Sequence, residues 1–279
     1  MTNPVSIKRN DHTTWLKWHR GRKAAGDANF TGARILEGMR LGASVEVDLV
    51  VHGDRGYAVL HDLSLERETT GDGVTAERSA AYIRELYLRD NDGNPLAERV
   101  MLLEDLCALL ATGEVHENAV LQLDYKQDVA ALDSSSIASF KASVTPVARH
   151  MLLSSGDAAA VQLLSADVPA LRIGHDPCHD GALDRLKLSR NFPQFIADAI
   201  AASPRAEILY LHYRLVLEAA AAGFDLVAAS HNGDRRVDAY TIKVPAPDTL
   251  ADIMGLLDLK VDQITTDDPE GLAALVGDR

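Results

Sequence analysis

A chain of 279 residues that is 47% hydrophobic and 25% charged can bury one large core and does not have the composition of a disordered polymer. Its 41 acidic residues against 28 basic ones leave a formal charge of −13 without any Lys/Arg run, which excludes a nucleic-acid partner and leaves a small phosphorylated ligand met through a cation. Two cysteines, no apolar leader and no uncharged apolar run of roughly 18 residues argue against a disulfide framework, secretion and a membrane span, and for a soluble protein of the reducing cytoplasm.

Taken in chain order, eight short β-rich runs alternate with helical patterns. The runs cover 15–19, 44–50, 120–126, 151–155, 171–175, 208–212, 237–243 and 263–267, and the helical patterns cover 31–41, 135–148, 156–164, 192–202, 215–222 and 249–256. Repeated βα units predict a parallel sheet, and eight strands close one, so the expected fold is a (β/α)8 TIM barrel in a single domain over 1–279. An open doubly wound sheet is the alternative. After the second run, Gly53, Arg55 and Gly56 read as a tight turn into a returning strand over 57–61, and the polar stretch that follows makes an insertion of about 62–99.

Titratable residues gather at the ends of these runs: His19 with Arg20, Glu46 with Asp48, His61 after the returning strand, Asp124 with Lys126, then His175, His212, Lys243 and Asp267. In a parallel barrel all those ends face one mouth, where barrel enzymes keep their active sites. Glu46 and Asp48 are two apart, so on a strand they share a side and can chelate one hard cation through oxygen. Asp124 is a third acid inside an apolar strand. Lys126, on its face, suits either a structural ion pair or a phosphate contact. His19 and His61 each sit beside a charged residue, and two imidazoles can serve as base and acid near neutral pH.

Other polar clusters read as structure. His175, Asp176, Cys178, His179 and Asp180 could suggest zinc, but a proline interrupts them and no partner cluster exists, so a strand-end loop is expected. Asp90 to Asn94 lacks the glycine position and closing glutamate of a calcium loop and reads as a turn. His231, Asn232, Gly233, Arg235 and Arg236 read as a solvated loop, and Trp15 and Trp18 as packing for the first strand.

The runs WHRG at 18–21, VEVDLV at 45–50, AVLHDLSLERETTGDG at 58–73 and ITTDDPEGL at 264–272 together span nearly the whole chain. In that order the chain resembles the glycerophosphodiester phosphodiesterase family. The resemblance implies a barrel with a small insertion after the second strand, proton transfer by His19 and His61, and one divalent metal, magnesium or calcium, on Glu46, Asp48 and Asp124. Phosphate contacts would come from Arg20 and Lys126, and the implied partner is a small phosphodiester split to an alcohol and a phosphomonoester.

Three places depart from the family pattern. Asp124 stands where Glu is usual, Asn29-Phe30-Thr31-Gly32 replaces a Glu-Asn pair, and Tyr240-Thr241-Ile242-Lys243 replaces Trp-Thr-Val-Asn. These put the alcohol in question. Tyr240 and Lys243, with His175 and His212, are the candidates for its pocket, and they suit a bulkier, more hydroxylated group such as a sugar phosphodiester of the agrocinopine type. Two further alternatives are a phospholipase D-like lyase that stops at a cyclic phosphate and a non-catalytic barrel that only binds phosphate esters.

Overall fold

The computed structural model describes residues 4–9, 11–179 and 181–277. The strands β1 (Ser6–Arg9) and β2 (His12–Trp18) form an antiparallel hairpin that the sequence pattern did not announce, with Ser6 opposite Trp15. After β3 (Ser44–Val51) the chain returns through β4 (Tyr57–Ala58), antiparallel to it. A separate antiparallel pair follows, β5 (Tyr87–Arg89) and β6 (Pro95–Arg99), joined by the turn expected at Asp90 to Asn94. Then come β7 (Val120–Tyr125), β8 (Met151–Ser154), β9 (Arg172–His175), β10 (Ile208–His212), β11 (Arg236–Ile242) and β12 (Gln263–Thr266).

Eight of these strands form a closed parallel barrel in the order β2, β12, β11, β10, β9, β8, β7, β3. Closure rests on β2, where Lys17 is in register with Thr265 of β12 on one side and Ser44 of β3 on the other. No barrel strand is left with an open edge, so the doubly wound sheet does not apply.

The helices are α1 (Gly32–Leu41), α2 (Ala80–Glu85), α3 (Leu103–Thr112), α4 (Ser134–Val144), α5 (Ala158–Ser165), α6 (Ala182–Ser189), α7 (Phe192–Ala202), α8 (Tyr213–Ala221), α9 (Leu226–Asn232), α10 (Leu250–Asp258) and α11 (Pro269–Gly277). Five of them, α2, α3, α6, α9 and α11, were not read from the sequence. The α9 case corrects a reading: the Asp225 side chain caps Ala228 N at 2.9 Å, so His231 lies in a helix and pairs with Asp262 at 2.8 Å instead of sitting in a solvated loop.

All eight residues of β3 are buried, as parallel strands covered on both faces require. Val45, Val47 and Leu49 share a core cluster with Ile35 and Met39 of α1 and Leu106 of α3, which leaves Glu46 and Asp48 on the barrel side. Leu65, Ile83, Leu86 and Leu88, between β4 and α3, belong to the same cluster. The segment after β3 is therefore packed onto the barrel wall and can hold a side chain over its mouth.

Candidate active site

The turn that leaves β2 is built on an unusual backbone. Arg20 and Gly21 both have positive φ, 55° and 72°, and a Cβ on Gly21 would stand 2.8 Å from Ile35 Cγ1. Only glycine meets both demands. The turn points the Arg20 amide at Glu46, whose Oε2 accepts it at 2.7 Å.

Glu46, Asp48 and Asp124 bring one oxygen each within 4.8 Å of one another, and Asp48 is in direct register with Asp124 across β3 and β7. Lys126 Nζ lies 2.7 Å from Asp48 and 2.5 Å from Asp124, and Arg20 Nε lies 3.1 Å from Asp48. Burial, and then the charge of Asp48, push the Glu46 carboxyl well above its usual range. Burial pushes Asp48 the same way, but Lys126 and Arg20 outweigh it and hold Asp48 low. Burial opposes the charge of Lys126, whereas Asp124, Asp48 and Glu46 raise it well above the ordinary lysine value.

This group suits a cation. Both Asp48 oxygens are buried without an aligned hydrogen-bond donor, because the two ion pairs miss hydrogen-bond geometry. Three carboxylates in an all-oxygen cluster, one of them paired with cations but short of aligned donors, are the donor set that hard divalent ions prefer. The three side chains could hold one such ion.

His19 and His61 are each oriented by a carboxylate. His19 Nδ1 meets Asp267 Oδ1 at 2.5 Å, and Arg22 holds the same carboxylate. Burial lowers the His19 pKa below 6.5, and the contact with Asp267 offsets part of that. His61 Nδ1 meets Asp62 Oδ1 at 2.8 Å, and Arg67 forks onto Asp62 at 2.5 and 2.6 Å. Arg67 and then burial set the Asp62 carboxyl, with a net fall to about 2. Glu68 fixes the local chain by accepting the His61 and Asp62 amides at 2.8 and 3.0 Å. In both pairs Nδ1 faces a carboxylate, which leaves Nε2 to act.

A cavity of about 270 Å³ joins these groups, lined among others by His19, His61, Glu46, Asp124 and Lys126. Arg20, Tyr240 and Lys243 also line it. Strict alternation would put residues 240 and 243 on opposite faces, but the register of β11 against β12 shifts between Ala239 and Ile242, and both reach the same space.

The other two alcohol-pocket candidates lie elsewhere. His175 is buried against a neighbouring cavity of about 440 Å³, and His212 stacks on Tyr213 at 5.5 Å and meets the edge of Tyr240 at 6.0 Å. Asp176 and His179, read as loop residues, pair at 3.0 Å and line the 270 Å³ cavity, whereas Asp180 lies outside the described residues. Asp62 was read only as the charged neighbour of His61, and Arg67, Glu68 and Arg22 were missed. Their only signal was adjacency to His61 and to the turn after His19. Trp18 is fully buried, as expected. No helix among the described residues is long and apolar enough to cross a membrane.

Comparison with known proteins gives a concordant picture. The model of the Glycerophosphoryl diester phosphodiesterase family matches residues 19–271. A solved structure from Agrobacterium tumefaciens bearing the same family name is 23% identical over 95% of this chain and 98% of its own, with a TM-score of 0.70. One from Galdieria sulphuraria, a glycerophosphodiester phosphodiesterase by name, is 17% identical over 95% and 98%, with a TM-score of 0.72. An Oleispira antarctica phosphodiesterase in complex with the product sn-glycerol-3-phosphate is 19% identical over 94% and 96%, with a TM-score of 0.60. At these identities the structures speak for the fold. No curated protein matches.

Proposed function

We infer the reaction from one premise: the chain belongs to the glycerophosphoryl diester phosphodiesterase family and is a phosphoric diester hydrolase. The reading is that it converts a small phosphodiester to an alcohol and a phosphomonoester, with His19 as base and His61 as acid. The observation that carries it is the meeting of His19, His61, Glu46, Asp124 and Lys126 around one cavity of about 270 Å³.

Arg20 and Lys126 line the cavity and pair with its carboxylates, and in this reading they turn to the non-bridging phosphoryl oxygens, a task that guanidinium and ammonium groups suit. Glu46, Asp48 and Asp124 would hold one divalent ion, magnesium or calcium, which supplies charge neutralisation at phosphorus when bound. His19, with Nδ1 donated to Asp267, keeps a lone pair on Nε2 and takes the proton of the attacking hydroxyl. His61, with Nδ1 on Asp62, gives a proton from Nε2 to the departing oxygen. By family resemblance the attacking group is the substrate's neighbouring hydroxyl, and water then opens the cyclic phosphate with the two histidines in exchanged roles.

The alcohol in this reading is of the sugar type. Lys243 and Tyr240 line the cavity with polar ends that can meet extra hydroxyls, which supports this reading. The two buried free thiols, Cys107 and Cys178, fit a reducing cytoplasm.

The test is phosphorus NMR of a panel of glycerophosphodiesters and sugar phosphodiesters incubated with the protein and magnesium or calcium. A phosphomonoester product supports hydrolysis, and a persistent cyclic phosphate supports the lyase. A substrate with an activated leaving group such as nitrophenolate should restore the first step in His61→Ala, read as nitrophenolate release with the cyclic phosphate accumulating, and leave His19→Ala inactive. Rescue of both or neither rejects the assignment of roles.

A further inference from the structure

The barrel floor beneath the three carboxylates is polar. Lys17, Gln122, Ser154 and Asp238 are 2%, 5%, 0% and 0% exposed, and they form one connected line that ends on Asp124. Lys17 Nζ lies 3.1 Å from Asp238, which also receives the Thr265 hydroxyl at 2.6 Å, and it stands 4.1 Å from the centre of the Tyr210 ring. Lys17 also donates to Gln122 Oε1. Gln122 Nε2 donates to Ser154 Oγ at 2.8 Å, and Ser154 Oγ donates to Asp124 Oδ1 at 2.6 Å.

Every bond in this line has one possible direction. An ammonium has donors only, so the amide oxygen of Gln122 must face Lys17 and its NH2 must face Ser154. Ser154 then accepts from Gln122 and has its single proton to give to Asp124. We propose that Gln122 and Ser154 are positioning residues that aim Asp124 at the cation. Ser154, held by Gln122, fixes Oδ1, Lys126 meets Oδ2 at 2.5 Å, and the carboxylate so held keeps an oxygen within 4.8 Å of one each from Glu46 and Asp48. The proposal rests on Asp124 being a metal ligand.

Two further considerations support it. Asp124 stands where the family pattern has Glu and is one methylene shorter, so its reach depends more on its rotamer. A buried Lys–Asp pair is often no more stabilising than apolar residues of the same volume. Lys17 and Asp238 therefore contribute little as stabilisers and more as the fixed origin of a directed chain. Groups beyond the metal's own ligands commonly change its affinity by about ten- to a hundredfold.

The experiment is calorimetric titration of the full chain with magnesium and with calcium, alongside thermal melts without metal. Gln122→Glu is isosteric and still accepts from Lys17, but it turns the Ser154 hydroxyl away from Asp124. Its added negative charge on its own would tighten cation binding, whereas loss of the aimed Asp124 weakens it. The expected result is roughly ten- to a hundredfold weaker binding in Gln122→Glu and in Ser154→Ala, with most of the affinity kept in Ser154→Thr. Gln122→Glu buries a further carboxylate and should melt lower, whereas Ser154→Thr should melt close to the parent, so the melts verify that binding is compared among folded proteins. Parental or tighter binding in Gln122→Glu, while Asp124→Ala has lost the metal, overturns the relay. Unchanged binding in Asp124→Ala overturns the ligand assignment and the relay with it.

Discussion

His19 and Asp267 meet through Nδ1 and Oδ1 at 2.5 Å although 248 residues separate them, because β12 closes the barrel beside β2. The contact fixes the tautomer of His19 and partly offsets the lowering of its pKa by burial. A base must be neutral to act, so kcat/KM should fall on the acid side through a pKa below 6.5. Asp267→Asn removes the group that raises this pKa. Its acid limb should therefore move to lower pH, while turnover drops by about a hundredfold or more as the ring loses its orientation. A pH–rate profile checks both, and a limb that moves upward contradicts the assignment.

The carboxylate cluster predicts opposite effects on binding and stability. Chelation should abolish turnover, and Glu46→Ala, Asp48→Ala or Asp124→Ala should each weaken metal binding by more than about a hundredfold, since each removes a ligand. Glu46 is held against burial and the charge of Asp48, both of which disfavour its ionised form. Glu46→Gln should therefore raise the stability of the metal-free protein by about 0.5–2 kcal/mol while abolishing activity. Melting curves in chelator and in magnesium measure the two sides. A less stable metal-free Glu46→Gln would show that the strain is absent.

The strand-end acids were legible because their evidence is local. An acid or imidazole inside an apolar run, such as Glu46, Asp48 or Asp124, needs a partner, and the period of a strand shows which residues share a side. What stayed hidden depends on packing between distant segments. The register shift that brings Tyr240 and Lys243 to one cavity has no mark in their order, and Lys17 meets Gln122 across 105 residues. Asp176 and His179 looked like a loop because only the fold turns that loop over the mouth. Three of the unread helices, α2, α6 and α9, are only six to eight residues long, where a cap such as Asp225 outweighs periodicity.

The turn after β2 predicts a stability effect at one glycine. Gly21→Ala places a Cβ 2.8 Å from Ile35 Cγ1 on a backbone with φ 72°. The loss should be about 1–3 kcal/mol, with turnover falling further because His19 and Arg20 ride on the same turn. Gly26→Ala is the control, since a Cβ there meets nothing within 4 Å. Equal melting temperatures for the two variants would contradict this account.

The last prediction concerns the alcohol. Tyr240 and Lys243 line the cavity that His19 and His61 share, so both are within reach of whatever leaves phosphorus. A site that hydrogen-bonds a hydroxyl rejects substrates lacking it by large factors, whereas an apolar contact discriminates by roughly ten- to two-hundredfold. The parent protein should therefore prefer a sugar phosphodiester to glycerophosphocholine in kcat/KM. Lys243→Asn removes the ammonium and shortens the donor, and it should reduce that preference by about tenfold or more, an effect of about 1.4 kcal/mol. Tyr240→Phe keeps the ring and loses only the hydroxyl, so it should cut turnover of the sugar substrate and leave glycerophosphocholine nearly unchanged. Tyr240→Trp fills the same space with a larger ring and should shift preference toward the smaller glycerol alcohol. The measurement is kcat/KM for both substrates in all four proteins. A parent preference for glycerophosphocholine that none of the three substitutions alters would reject the sugar pocket and leave the phosphodiesterase activity untouched, because neither residue is needed to move a proton or hold the metal.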